Sequence, residues 1–260
     1  MRRVPIYQID AFAGRVFSGN PAAVCPLDAW LEDPLMQAIA QENNLSETAF
    51  FVAEKTGYRI RWFTPTTEVD LCGHATLAAA FVLLEIFEVS GDQIVFHSRS
   101  GRLAVTREED RLAMDFPSKP PVACEPPDGL KEAFHKAPSE IWRSEDYLVV
   151  FPDEEDIRAL KPDMEKLAKL DLRGVIVTAK GKETDFVSRF FAPKFGIPED
   201  PVTGSAHCTL IPYWSHSLDK KDLYAHQVSR RGGEIFCKDR GDRVVIAGRA
   251  VAYMEGTITA

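Results

Sequence analysis

Two stretches of the sequence place an aspartate a few positions before a helix start of the form Gly-x-Ala. Asp70 precedes the Gly-His-Ala that begins at Gly73, and Asp200 precedes the Gly-Ser-Ala that begins at Gly204. The first turn of a helix carries backbone N–H groups that have no intrahelical partner, and such groups bind anions. An acidic group beside a helix end of this kind is suited to moving a proton on a carboxylate-bearing molecule.

Glu47 is the main candidate for that proton transfer. It follows a polar loop and opens an apolar segment, a position at which a carboxylate can be partly desolvated and so act as a general acid or base. His74 lies at the start of a predicted buried helix, where the helix dipole disfavours the charged imidazole, so it could act as a neutral donor or base. Each residue also has an ordinary interpretation, Glu47 as a solvated turn residue and His74 as a structural histidine.

The residues around the second helix start are candidates for substrate binding. Ser205, with the amides that follow Gly204, would hold a carboxylate, and Asp200 could orient a substrate amine or share a proton. Asp70 has the same options in a more apolar context. Helix capping is the ordinary alternative for all of these side chains.

Cys72 suggests a second chemistry, because cofactor-independent epimerases use two cysteines on opposite faces of an α-carbon. Alignment of the two stretches on their aspartates places Val202 opposite Cys72, and alignment on their glycines places Thr203 there. Neither is a thiol, and Cys208 lies at the wrong offset. Cys72 is therefore interpreted as a packed thiol, and amino-acid racemisation or epimerisation remains an alternative function.

Composition narrows the classes of partner. A net charge of −8 and a pI near 5.3 argue against nucleic acid or an anionic membrane as the main partner, whereas a small anionic substrate remains compatible. The five cysteines form no Cys-x-x-Cys pair and the six histidines are scattered, so neither a disulfide framework nor a metal site is expected. No cofactor motif is present. No signal segment or membrane-spanning apolar run is visible, and we expect a cytoplasmic protein.

An Arg-x-Phe-x-Pro signature precedes both helix starts, at Arg61 and again at Arg189. Two such matches, each leading through an acidic loop into a Gly-x-Ala helix start, indicate an internal duplication. A duplicated strand–loop–helix unit predicts two similar lobes with the paired helix ends facing a cleft. The proline-rich segment 117–129 predicts the linker, which gives an N-terminal lobe at 1–116 and a C-terminal lobe at 117–249.

Local patterns predict the elements of the second lobe. The segment with Glu199 is expected to be a loop, and the helix that begins at Gly204 is expected to kink or end near Tyr213 because Pro212 lies inside it. A further strand is expected over residues 228–237, around a pair of glycines.

The sequence resembles the PhzF family, the phenazine-biosynthesis-like proteins that share the diaminopimelate epimerase fold. The resemblance runs through most of the chain and rests on short motifs in both halves, namely Asp10–Phe12, Phe17–Ala23, Asn44–Thr48, Arg61–Pro65, Asp70–Thr76, Arg189–Pro193, Glu199–His207 and Pro212–Trp214.

The resemblance implies an α+β fold of two lobes related by a pseudo-two-fold axis, each a mostly antiparallel sheet rolled around a central helix, with the active site between them. In this fold the final strand, about residues 250–260 here, tends to return to the first lobe. The resemblance also implies a homodimer. The best understood family member is an isomerase without metal or organic cofactor that uses a glutamate as its proton shuttle.

The residues of this chain match the functional positions of that family one by one. Glu47 matches the proton-shuttling glutamate. The positions that match its partners around the carboxylate and amine of the substrate are Gly73, His74, Asp200 and Ser205. His74 and Asp200 are expected to be catalytic together with Glu47. Further expected substrate contacts are Asn20, Asp70 and Gly204. Residues 227–234 match the family pattern only loosely, and they belong to the substrate-facing lobe. The phenazine precursor is therefore not assumed as the substrate. The leading hypothesis is a cofactor-independent isomerase, and a non-catalytic small-ligand-binding protein is the alternative outside enzymes.

Overall fold

The computed structural model describes residues 2–260, which are dominated by β-strands. The strands are β1 (Arg3–Ala11), β2 (Asn20–Leu27), β3 (Glu47–Glu54), β4 (Gly57–Phe63), β5 (Glu68–Val69), β6 (Gln93–Ser98), β7 (Gly101–Glu108), β8 (Arg111–Pro117), β9 (Val122–Ala123), β10 (Glu140–Arg143), β11 (Tyr147–Val150), β12 (Val175–Lys180), β13 (Phe186–Ala192), β14 (Ile197–Asp200), β15 (Asp222–Gln227), β16 (Gly233–Asp239), β17 (Arg243–Gly248) and β18 (Ala250–Thr259). The helices are α1 (Asp33–Asn43), α2 (Gly73–Phe81), α3 (Glu154–Ala159), α4 (Met164–Leu167) and α5 (Gly204–Leu218).

The chain forms two compact units. Unit 1 comprises the chain up to residue 115 together with residues 247–260, and unit 2 comprises residues 116–246. Strands outnumber helices in both units, and each unit carries its own buried helix, α2 in unit 1 and α5 in unit 2. The expected α+β architecture is thereby confirmed.

The sheet of unit 1 mixes antiparallel and parallel neighbours. β1 pairs antiparallel with both β2 and β18, β2 pairs parallel with β3, and β3 pairs antiparallel with β4. β4 is then parallel to β6, which continues as an antiparallel meander into β7 and β8. Helix α2 packs against β1, β2 and β3. Its residues from His74 to Ala80 are all buried, as expected for a helix that is apolar nearly all round.

Unit 2 repeats this order of pairings. β10 is antiparallel to β11, β11 parallel to β12, β12 antiparallel to β13, β13 parallel to β15, and β15 antiparallel to β16. The order antiparallel, parallel, antiparallel, parallel, antiparallel is that of β1, β2, β3, β4, β6 and β7 in unit 1. The recurrence supports the internal duplication inferred from the two Arg-x-Phe-x-Pro signatures.

The repeated arginine of that signature has the same structural role in each unit. Arg61 donates two hydrogen bonds to the carboxylate of Glu68, both at 2.7 Å, and lies 5.1 Å from the ring centroid of Phe63. Arg189 donates two hydrogen bonds to Glu199, at 2.6 and 3.0 Å, and lies 4.9 Å from the ring centroid of Phe191. The signature therefore ties a strand to the acidic segment that leads into the buried helix.

One sequence-based expectation for unit 2 was wrong, and one of the two effects expected of Pro212 did not occur. Glu199 belongs to a short strand, β14, because its segment pairs antiparallel with β13. Pro212 does not end α5, which continues to Leu218. The proline leaves the carbonyl oxygen of Cys208 without its usual helical donor, and the backbone N–H of Lys119 supplies the missing hydrogen bond at 2.9 Å.

The strand expected over residues 228–237 was also misplaced. β15 ends at Gln227 and β16 begins at Gly233, with a turn between them in which Gly232 has φ +67°. The proline-rich segment 117–129 contains the short strand β9, which pairs with β10 inside unit 2. Within residues 2–260, no helix has both the length and the apolar character needed to cross a membrane.

Candidate active site

Three of the expected site residues meet at one edge of the unit 1 sheet. β2 and β3 run parallel with Ala22 opposite Glu47, so these strands begin side by side. Asn20 is the first residue of β2 and Glu47 the first of β3, while His74 is the second residue of α2. Sheet pairing and the start of the buried helix thus bring together residues that are far apart in sequence.

Hydrogen bonds determine how the His74 ring is oriented. Ser46 donates its hydroxyl to Asn20 Oδ1 at 3.4 Å, which directs the amide nitrogen of Asn20 to His74 Nδ1 at 3.3 Å. An amide nitrogen only donates, so Nδ1 accepts this bond and the ring proton resides on Nε2. That nitrogen lies 3.2 Å from Glu47 Oε2, without the angular alignment of a regular hydrogen bond.

Burial keeps the His74 ring neutral. The side chain is almost fully enclosed, and desolvation lowers the pKa of His74 to about 3. A neutral ring with its proton on Nε2 can donate to Glu47 Oε2 when the two groups are aligned.

Cys72 completes this cluster at the start of α2. The residue is buried, and its Sγ lies 3.6 Å from His74 Nδ1. Its side chain makes no capping bond to the helix, although its carbonyl oxygen accepts from the Thr76 N–H at 3.1 Å. The structure thus places a thiol beside the very histidine that contacts Glu47.

Asp70 lies apart from the cluster. Its side chain is 74% exposed, and its carboxylate is 4.0 Å from the guanidinium of Arg99. Its backbone carbonyl accepts a hydrogen bond from the Ser100 hydroxyl at 2.8 Å. These contacts describe a surface residue that supports the loop before α2.

In unit 2, the segment between Asp200 and α5 is held by a buried glutamine. Gln227 accepts from the Thr203 N–H at 2.8 Å and donates to the Asp200 carbonyl at 2.8 Å. The Thr203 hydroxyl donates to Asp200 Oδ2 at 2.5 Å. Thr203, the N-cap of α5, makes no side-chain cap, so the helix start at Gly204 is left for other partners.

Ser205 has a cationic neighbour. Arg173 donates to the Ser205 hydroxyl at 3.0 Å and forms a bidentate ion pair with the buried Asp146. Burial works against the charged guanidinium, but the hydrogen bond and charge of Asp146 outweigh it and raise the pKa of Arg173. The first turn of α5 therefore combines its N–H groups with a guanidinium that is already paired with Asp146.

Arg173 and Gln227 were missed by the sequence reasoning. Arg173 lies in a loop between α4 and β12, and nothing in its sequence neighbourhood indicates contact with Ser205. Gln227 ends β15 and reaches back to a segment far earlier in the chain. The loose family match around residues 227–234 was the one available signal for Gln227.

The expected residues therefore form two groups and one outlier. Asn20, Glu47 and His74 are in contact in unit 1, with Gly73 as the first residue of the same helix. Asp200, Gly204 and Ser205 surround the start of α5 in unit 2. Asp70 is the outlier.

Comparison with protein families gives a match over nearly the whole chain. The model of the phenazine biosynthesis-like (PhzC–PhzF) proteins matches residues 9–256. The chain belongs to the phenazine biosynthesis-like family. A family protein from Pseudomonas aeruginosa, named as an uncharacterized isomerase, is 56% identical over 97% of this chain and 98% of its own length. The resemblance to the PhzF family is thereby confirmed, and the chain is an enzyme of the isomerase class.

Solved structures agree with that assignment. A PhzF-family protein from Enterococcus faecalis has a TM-score of 0.98 and 48% identity, with all of both chains covered. A hydroxyproline epimerase from Agrobacterium vitis has a TM-score of 0.61 at 10% identity, over 99% of this chain and 92% of the epimerase. The second likeness shows that the phenazine biosynthesis-like fold is shared with an amino-acid epimerase.

Proposed function

We propose that this chain shifts a proton within a small carboxylate-bearing molecule, amino-acid-like or cyclic, with Glu47 as the proton shuttle and no cofactor. The observation that carries the proposal is the 3.2 Å contact between Glu47 Oε2 and His74 Nε2. The imidazole ring of His74 is oriented by the hydrogen bond from Asn20 to its other nitrogen. Contacts of this kind often tighten only when substrate binds.

The proposed step conserves the atoms of the substrate. The Glu47 carboxylate removes a proton from a carbon next to an unsaturated or carboxylate-bearing centre, and the electron pair of that C–H bond moves into the conjugated system. The protonated Glu47 then forms a new C–H bond at another carbon of the same system. The product is an isomer, and no oxidant or second substrate is required.

Substrate contacts are assigned by the same proposal. Gly73 and Asn20 are expected to contact the substrate near Glu47. Asp200 and Ser205, with the helix start at Gly204, are expected to bind its carboxylate and amine. The pairing of Ser205 with Arg173 at 3.0 Å supports a carboxylate as one of the bound groups.

The test is proton NMR in D2O with a panel of small unsaturated and cyclic amino acids. We expect the wild-type protein to form an isomer and to incorporate deuterium in one member of the panel, and Glu47→Gln to lower the rate by at least about 100-fold, the scale of general acid–base catalysis. Glu54→Gln is the matched control, because Glu54 ends the same strand and pairs with Arg59 on the surface. Unchanged turnover in Glu47→Gln would exclude the proposed role.

Other outcomes of the same spectra separate the alternatives. Deuterium at an α-carbon with inversion of configuration would favour racemisation or epimerisation. Binding of a panel member without exchange in the wild-type protein would contradict proton transfer and favour a ligand-binding role.

A further inference from the structure

Three different metal-ligating side chains converge in unit 1. One ligand atom from each of Glu47, Cys72 and His74 lies within 4.8 Å of the others. Because the histidines are scattered and the cysteines form no Cys-x-x-Cys motif, no metal site was expected from the sequence. The cluster arises because the start of β3 and the N-terminus of α2 lie side by side in the fold.

The distances suit a tetrahedral site. In such a site Zn–S is about 2.3 Å and Zn–N about 2.0 Å, which places sulfur and nitrogen roughly 3.5 Å apart. Cys72 Sγ and His74 Nδ1 lie 3.6 Å apart. Nδ1 also accepts from the Asn20 amide at 3.3 Å, so a metal ion bound to this nitrogen would replace that hydrogen bond. Glu47 Oε2 lies 3.2 Å from the other ring nitrogen, so the carboxylate would have to move to join them.

We propose that Glu47, Cys72 and His74 form a binding site for a soft divalent cation, with Zn2+ as the expected ion. A thiolate, an imidazole and a carboxylate are the three side-chain ligands that zinc uses, and sulfur ligation disfavours Mg2+ and Ca2+. Three protein ligands leave a fourth position for water. The cluster is enclosed, since Cys72 and His74 are both buried, so little bulk water competes for the ion.

The ion would act as an inhibitor. A metal on Glu47 removes the carboxylate that the proposed function uses as its proton shuttle, so this consequence rests on that function. Binding of the ion does not rest on it. We expect proton exchange to stop when Zn2+ occupies the site and to return after treatment with a chelator.

The test uses Co2+ as a spectroscopic probe and Zn2+ as the competitor, with the reduced full-length chain freed of metal. We expect a thiolate-to-cobalt charge-transfer band in the near ultraviolet that reaches its maximum at one equivalent of Co2+ and disappears on addition of Zn2+. The band should be absent in Cys72→Ser. Cys124→Ser is the matched control, because Cys124 is more exposed than Cys72 and would be the first thiol to bind metal non-specifically.

Zn2+ affinity, measured by competition with a chromophoric chelator, provides a second readout that does not use the thiolate-to-cobalt band. Glu47→Gln should weaken binding at least about tenfold, since even outer partners of metal ligands are worth about 10–100-fold, and Glu54→Gln should not. Far-UV circular dichroism shows whether Cys72→Ser or Glu47→Gln fails to fold. If one of them does, the metal binding of the other variant tests the proposed site. Absence of the band in the wild-type protein, or an equal band in Cys72→Ser, would overturn the proposal.

The two hypotheses fail separately. Proton exchange by the metal-free protein in D2O tests the isomerase proposal whether or not a metal binds. The cobalt titration tests the metal site whether or not a substrate is known.

Discussion

Two buried histidines near the starts of the central helices have different chemical states. His74 accepts at Nδ1 from Asn20 and presents its Nε2 proton to Glu47. His207 donates from Nδ1 to the Thr203 carbonyl at 2.8 Å, and it packs against the ring of Phe186. The first arrangement serves a carboxylate, whereas the second closes the first turn of α5. His207 is therefore a structural histidine.

The structural role of His207 predicts a dependence of stability on pH. Burial lowers the pKa of His207 to about 4, and the bond to the Thr203 carbonyl only partly offsets this. Below the ordinary histidine pKa of about 6.5 the unfolded chain binds a proton that the folded chain does not bind until about pH 4, so the free energy of unfolding falls as the pH is lowered through this range. From pH 7 to pH 5 the loss from this residue is about 2 kcal/mol.

His207→Asn isolates that contribution, because its amide nitrogen can still donate to Thr203. We expect urea unfolding of this variant to lose about 2 kcal/mol less than the wild-type protein between pH 7 and pH 5. His97→Asn, at a half-buried histidine whose hydrogen bond to the Thr56 carbonyl is exposed to solvent, should retain the wild-type dependence. Equal pH dependence in wild type and His207→Asn would contradict the assignment.

At the scale of elements, the repeated arginine joins strands to neighbouring helices. In unit 2, Arg189 pairs with Glu199 and also donates to the carbonyl oxygens of Ile157 and Leu160 at the end of α3, at 3.0 and 2.9 Å. Both partners of the ion pair are largely buried, with 13% and 22% of their side chains exposed. One side chain thus satisfies a buried carboxylate and the end of a helix.

Removal of this arginine is expected to be costly. Arg189→Met leaves a largely buried carboxylate and two carbonyl groups without their donor, and breaking a buried ion pair costs about 3–5 kcal/mol. Urea unfolding should show a loss of about 3 kcal/mol. The matched control Arg59→Met breaks an exposed pair with Glu54 and should cost at most about 1 kcal/mol. Similar losses in both variants would show that the repeated arginine is not a special structural contact.

At the scale of the whole molecule, unit 1 has an exposed apolar surface near the end of the chain. Phe17, Tyr253 and Met254 are 68%, 49% and 41% exposed, and the rings of Phe17 and Tyr253 are in edge contact at 5.5 Å. Every residue of β18 from Ala252 to Thr257 is exposed, although alternate residues of a sheet strand are commonly covered. Exposed apolar surface of this kind often marks an interface, and we propose that a second copy of the chain covers it.

The proposed homodimer is tested by light scattering after size-exclusion chromatography. We expect the mass of two chains for the wild-type protein and of one chain for Tyr253→Glu, because the new carboxylate would be buried unpaired in the interface. Phe195→Glu, at a phenylalanine of unit 2 that is 63% exposed, should remain dimeric. A monomeric wild-type protein at micromolar concentration would contradict the proposal.

The sequence by itself determined the family, the duplicated α+β architecture and the candidate residues, because these depend on local patterns. The two Arg-x-Phe-x-Pro signatures, the Gly-x-Ala helix starts and the apolar run of α2 are each readable within a few residues. The repeated order of strand pairings follows from the same duplication. Glu47 and His74 could be named as partners only through the family resemblance. The strands β3 and β4 lie between them along the chain, so no local sequence pattern connects the two residues.

Only the tertiary structure decided which side chains meet. The Asn20 amide that orients His74, the thiol of Cys72 beside the same ring, and the Arg173 donor to Ser205 all depend on long-range pairing, which leaves no pattern in the nearby sequence. Pro212 shows the same limit for an element. Its local effect is to end a helix, but α5 continues because a backbone N–H from distant Lys119 satisfies the Cys208 carbonyl that the proline leaves unpaired.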